Sequence, residues 1–522
     1  MTREPMWDVS AASHLLSRTS FGGTPQQAER LAARPLKDAV SALIEEAQRV
    51  PAPQKPAWVK EPWVNTERVY PETTNEERME NHRKAGERQS RERNELRCWW
   101  IDHAIRTPAP LREVMTLFWH GHFTTEARRM SVAQPLYTQN AALRAHALGN
   151  FRDLLEAVTL DAAMMMYLNM EDSDAKKPNE NFARELLELF TLGIGNYSET
   201  DIKEIARALT GWTLSAPPGS KTRPLVEGAP RAFCRDGLVP TFVKEKHDAG
   251  EKTVLGKTGR FGAKEVLDIV ATHPATAKFV AGKLVAFFGA ADSKNELRDR
   301  VAEAFVASKG NIASVLAALL TSPEFFAKES RGTLIKSPVH LLVGTCRLLD
   351  LDVTATPSLA QVTAAMGQEL FNPPNVKGWP GGRDWISSGT LAVRYHLPEA
   401  LFDGTEPGGF EPLATDRFFA LPADETARRD LIKRIQVADQ LRKAERRKDG
   451  FKVTFVPEKA VGGKVPEKTE ALVDVLLARL LAVPSRPDTK AALVDAVNQV
   501  EPAERVKLAC RLILMTPEYQ LA

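Results

Sequence analysis

Asn179-Glu180-Asn181-Phe182-Ala183-Arg184-Glu185-Leu186-Leu187-Glu188-Leu189-Phe190-Thr191-Leu192-Gly193 is the stretch on which the fold class turns. Its apolar residues recur at steps of three and four, the period of a helix and not of a strand. Pro178 and Asn179 can open the helix and Gly193 can close it. On a helical wheel Asn181, Arg184, Glu185 and Glu188 share one face. Phe182, Leu186, Leu189 and Phe190 share the other, with Leu187 flanking them. A polar stripe this narrow marks a helix that is buried around most of its girth. Two carboxylates on such a stripe need a metal, an arginine or a wet cleft. They read either as ligands or an acid–base pair, or as neighbours of a structural ion pair centred on Arg184.

Working outward, the same period recurs over residues 112–119, 133–148, 151–160 and 358–370, and in further segments from 263 to 349 and from 470 to 522. The expected fold is therefore mainly α. Thr24-Pro25 and Ser198-Glu199-Thr200-Asp201 supply helix starts, with a capping hydroxyl and, in the first case, proline in the first turn. Residues 75–94 are almost all charged or polar, which reads as a solvated helix or an insertion. Residues 241–246 and 251–255 alternate around His247-Asp248-Ala249-Gly250 and predict a small β-hairpin with that tetrapeptide at its tip. Residues 216–237 are rich in proline, glycine and basic side chains and read as a loop. The character changes after residue 402. The expectation is a helical core domain over 1–402 and a helical extension over 403–522, with a flexible basic arm at about 440–468.

Composition narrows the classes. The chain has 522 residues, 43% hydrophobic and 26% charged, which is ordinary for a soluble globular protein. A net charge of +3 gives no reason to expect nucleic-acid binding. The four cysteines, Cys98, Cys234, Cys346 and Cys510, are far apart and form no CxxC pair, so neither a cysteine-based zinc site nor a disulfide framework is indicated. Residues 1–21 contain no apolar stretch of signal-peptide length, and no run approaches bilayer-spanning length. The chain thus reads as cytoplasmic, or as co-exported with a partner that carries the signal.

Three other clusters join residues 179–193 as candidates for one composite site. In Phe118-Trp119-His120-Gly121-His122-Phe123, a helix ending at Gly121 would leave His120 and His122 extended and pointing the same way, able to share a metal. The alternative is two histidines bonding carbonyls or carboxylates at a helix end. In His247-Asp248-Ala249-Gly250-Glu251-Lys252, Asp248 has either a turn role or a site role, whereas His247 has no turn role. In Asn372-Pro373-Pro374-Asn375-Val376-Lys377-Gly378-Trp379-Pro380-Gly381-Gly382, regular structure is impossible. Trp379 there suits stacking on a flat ligand, or else pins a rigid loop.

Taken in order, these clusters, together with His14-Leu15-Leu16-Ser17-Arg18-Thr19-Ser20-Phe21-Gly22, residues 206–212 and Lys336-Ser337-Pro338, resemble a large bacterial family known only as domain of unknown function eighteen hundred. The resemblance runs over about residues 8–400, with Thr516-Pro517-Glu518-Tyr519 at the end. It implies a mostly helical protein and supplies no reaction. It also implies a possible partner, a phosphatase- or sulfatase-like protein encoded nearby.

The leading expectation is a metal-assisted, hydrolase-like enzyme. His120, His122 and His247 would hold zinc or iron. Glu185, Glu188 and Asp248 would be the catalytic or shell-completing carboxylates. Arg184 and Lys252 would hold an anionic group, and Asn375 and Trp379 would shape the substrate pocket. Two other expectations stand beside it: a non-catalytic escort of the phosphatase-like partner, and a carbohydrate-binding or carbohydrate-processing module built on Trp379, Trp385 and the paired acids.

Overall fold

The structure, a computed structural model, describes residues 5–60, 74–130, 133–215, 239–403 and 453–522. Helices dominate it. Among the described residues the strands make only three two-stranded antiparallel sheets. The expected loop at 216–237, with Cys234, and the first part of the basic arm lie outside the described residues.

Local chemistry sets many of the helix starts. Thr24 and Gln27 form a reciprocal capping box before the helix Pro25–Ala32. Ser198 and Asp201 do the same before Glu199–Ala208. Thr74 and Glu77 cap Asn75–Arg106, a helix of 32 residues. Its first half is largely exposed, as a solvated helix should be. Its second half, with Leu96, Trp100 and Ile101, is buried in the core.

Two helix boundaries and one hairpin differ from the reading of the sequence. Leu111–His122 does not stop at Gly121 but runs through His122, and the Phe123 N–H closes the last turn on the Trp119 carbonyl at 2.8 Å. The helix expected over 358–370 ends early, at Ala365, where the backbone turns at Gly367 with φ of +98°. The hairpin is also displaced. Trp212–Ser215 pairs with Val239–Phe242, and Lys252–Val254 pairs with Lys257–Gly259 across Leu255 and Gly256, both at positive φ. Two residues at positive φ are what a tight two-residue hairpin turn requires. Residues 247–250 link the two sheets and are not a hairpin tip.

One large cluster of buried apolar side chains holds the elements together, from Ala11 through Tyr519. The C-terminal helices Thr469–Leu480, Pro487–Asn498 and Arg505–Leu514 contribute Leu472, Leu476, Val497 and Ile513 to it. The end of the chain is stitched to the centre: Leu521 bridges Ile335, the Lys336 ammonium donates to the Tyr519 carbonyl at 2.7 Å, and the Tyr519 ring lies 3.9 Å from that ammonium. Cys98, Cys346 and Cys510 are buried free thiols. No helix of the described residues is long and apolar enough to cross a membrane.

Candidate functional site

The segment that opened the sequence analysis is not a uniform helix. Glu180–Glu185 is α-helical and Leu186–Thr191 widens into a π-helical turn. Such turns are rare and concentrate at functional sites. At its end Leu192 and Gly193 both donate to the Leu187 carbonyl, at 2.9 and 3.0 Å. The carbonyls of the last turn have no helical partners of their own. His122 and Lys283 supply them. His122 Nε2 donates to the Phe190 carbonyl at 2.9 Å, and Lys283 Nζ lies 3.2 Å from the Leu189 carbonyl. Lys283 Nζ also donates to His122 Nδ1 at 3.1 Å, which fixes the neutral imidazole with its proton on Nε2. Burial, aided by the Lys283 charge, holds His122 well below the usual histidine range.

His120 is committed elsewhere. Two residues apart on a helix places the two imidazoles on different sides, and His120 is fully buried. Its Nε2 accepts the Phe371 backbone N–H at 3.0 Å, so the proton sits on Nδ1. Nδ1 has no oxygen or nitrogen partner. The rings of Trp100, Phe371 and Trp379 pack around the imidazole, with centroids 5.1 to 5.5 Å from its own. Burial alone lowers its pKa to about 3. His120 thus anchors the start of the Asn372–Gly382 loop. Two more bonds continue the seam: Ala127 N–H to the Phe371 carbonyl at 2.8 Å, and the Thr124 hydroxyl to the Val376 carbonyl at 2.6 Å. Gly378, at φ of +84°, passes so close to the Gly121 carbonyl that a side chain there would clash.

The first, second and fourth clusters therefore converge, and what they expose is a carboxylate pair. Glu185 and Glu188 are both half-buried on the widened helix. Burial raises the Glu185 pKa, the Glu188 charge raises it further, and Lys377 partly opposes them. Glu188 accepts the Tyr197 hydroxyl at 3.2 Å, and burial and that carboxylate push the Tyr197 phenol up. Tyr167 stands close enough for burial and the charges of Glu126 and Glu185 to raise its pKa as well, with the Arg129 guanidinium 5.5 Å from its ring. Asn375 and Lys377 are exposed and Trp379 is half-buried at the same seam. Tyr197, Tyr167 and Lys377 were not singled out from the sequence. Lys377 lies inside a quoted cluster, but nothing local marks the two tyrosines.

Among the described residues no hydrogen bond or ion pair joins the third cluster to this pair. His247 Nδ1 donates to the Thr210 carbonyl at 3.0 Å and its ring packs on Phe242. Asp248 is gripped by Arg207, 2.7 Å from Nε, and accepts Gly250 N–H at 2.9 Å. Hydrogen bonding to Arg207 holds its carboxyl below the usual range. Lys252 is buried, with its ammonium on the carbonyls of Asp248 and Gly250. These side chains knit a turn. Arg184 makes a paired contact with Glu199, both nitrogens at 2.8 Å, and reaches Glu185 only through its charge. Among the described residues no group of three or more His, Cys, Asp or Glu is placed to hold a metal ion.

Fold and site together define a mainly helical protein whose central feature is a carboxylate-bearing π-helical turn braced by histidine and lysine. The chain belongs to the family described as protein of unknown function, DUF1800, whose profile matches residues 14–521. The match extends the likeness through the C-terminal helices, beyond the 8–400 read from the motifs. No curated protein and no solved structure matches the chain.

Proposed function

We propose that this protein is an enzyme of the hydrolase type, with Glu185 and Glu188 as its proton-transferring pair. The observation that carries the reading is Glu185, a half-buried carboxyl whose protonated form is favoured by burial and by its neighbour, at the junction where the α-helix passes into the π-helical turn that carries Glu188. In this reading Glu185 donates the proton to a leaving group. Glu188, oriented by the Tyr197 hydroxyl, receives one from the attacking water. Lys377 offsets negative charge beside Glu185, and Asn375 and Trp379 border the substrate. The two carboxylates also suit a hard divalent ion whose remaining ligands are water and substrate oxygens. A zinc or iron site through His120 and His122 would first require release of ring nitrogens that now bond Phe371, Phe190 and Lys283.

The test is a panel of nitrophenyl esters, phosphate esters and glycosides, assayed with and without added divalent ions. One class is expected to be turned over. Glu185→Gln and Glu188→Gln should each lower kcat/KM about a hundredfold or more without lowering the thermal transition. Turnover of none of the classes, or equal turnover by the double variant, would reject the proposal.

A further inference from the structure

We propose that the groove at the C-terminal end of the π-helical turn binds a small organic anion, a phosphate or carboxylate head on a flat apolar body. The groove has a volume of about 560 Å³, which is within the range of ligand sites. Its floor is one face of the helix Pro274–Phe287, where Ala275, Lys278, Phe279, Gly282, Lys283 and Ala286 recur at helical steps. Alanine and glycine at three of those positions leave the space. Gly193, at φ of +77°, lets the opposite wall come down onto Phe279, where a side chain would stand 2.8 Å from the ring.

The charge of the lining is one-sided. Lys278, Lys283 and Arg298 line the groove, and no acidic residue does. Arg298 is held from the side by Asp299 at 2.8 Å. Lys283 is the informative one. Its ammonium uses two of its three protons, on His122 Nδ1 and the Leu189 carbonyl. Among the described residues no carboxylate pairs with it. Burial lowers its pKa to about 8. A cation that is desolvated without a counter-charge gains most from an anion supplied by a ligand. The Phe279 ring, 4.8 Å from the ammonium, offers a face to the ligand body. The competing account is that Lys283 only caps a helix end, as cations do. It explains neither the volume nor the other two cations. The proposal concerns a different surface from the Glu185–Glu188 pair and stands independently of the reading given to that pair.

Calorimetric titration of the full chain at pH 8 separates the accounts, with phenyl phosphate, benzoate and neutral phenol as probes. At least one anion should bind and phenol should not, and the anion that binds identifies the head group. Binding should take up protons, seen as a heat that depends on the buffer, because a bound anion raises the Lys283 pKa. Affinity should accordingly fall as pH rises above about 8. Lys283→Met should weaken binding about tenfold or more. Lys278→Ala and Arg298→Gln, at the rim, should weaken it severalfold, and they decide the matter if the Lys283 variant does not fold. Absence of anion binding, equal binding of phenol, or binding unchanged in the rim variants would overturn the proposal.

Discussion

Glu113 and Glu185 are both carboxylates at heavily packed helices, yet their surroundings push them in opposite directions. Glu113, in the first turn of Leu111–His122, is fully buried. Arg144 contacts both its oxygens at 2.7 and 2.9 Å, the Trp100 indole donates at 2.7 Å, and His103 lies at 3.3 Å. Burial alone would raise its pKa, but the Arg144 charge and the bonds from His103 and Arg144 prevail and bring it to about 2. Glu185 is far more exposed, and the opposing charges of Lys377 and Arg184 do not outweigh burial and Glu188. Depth in the protein therefore does not decide which carboxylate keeps its charge. What separates the two is whether the surroundings complete the charge. A completed one serves the fold, and an incomplete one is what the proposed proton transfer by Glu185 requires.

The largest test of this contrast is Arg144→Met, which leaves Glu113 buried with only the Trp100 indole and His103 beside it. It should cost about 3–5 kcal/mol at pH 7, read from urea melts. Because the folded pKa of Glu113 is depressed, its contribution is present above the ordinary carboxylate range and is lost as pH falls from about 4.5 toward about 2. Wild type and variant should thus converge in acid. A loss below about 1 kcal/mol, or one that persists at pH 2, would mean that the knot around Glu113 is not the completed charge described here.

Next in size is His122→Ala. It removes the donor to Phe190 and the acceptor of Lys283 together, and should cost about 2–3 kcal/mol, with His122→Gln recovering part of it. A sharper version uses metal content measured by plasma mass spectrometry on wild type and on the His120→Ala, His122→Ala double variant. With both imidazoles serving the fold, the two proteins should carry the same metal content per chain. Stoichiometric metal in wild type that disappears from a folded double variant would move the working site from the carboxylate pair to the histidines.

How far the sequence revealed this arrangement depends on the range of the interaction. Helix starts at Thr24 and Ser198 were legible because a cap and its partner lie three residues apart. The mainly helical class followed from spacing alone. The convergence of three clusters was legible as a concentration of unusual residues, but not its geometry. His120 and His122 were read as extended because glycine often ends a helix, and here the tertiary partners Phe371 and Phe190 hold it closed. The π-helical turn has no local signature, since its bracing donors come from 68 and 94 residues away. Arg207 escaped notice for the same reason: it reaches Asp248 across 41 residues and turns a candidate catalytic acid into a fastener.

The smallest effect returns to Glu185 and bears on its incompleteness directly. Its folded pKa is raised, so the ionised form is less favourable in the folded chain than in the unfolded one. That penalty is absent below the unfolded carboxylate value of about 4.3 and develops as pH rises through the folded value. Glu185→Gln removes it. The variant should therefore be more stable than wild type at pH 7, by a few tenths of a kcal/mol as befits a partly exposed site, and indistinguishable from it near pH 3. Thermal melts at the two pH values read the difference. A gain at neutral pH joined to a loss of turnover is the pattern of a group kept at the expense of stability. A variant less stable than wild type at pH 7 would show that Glu185 already has the partners it needs, and the distinction from Glu113 would fail.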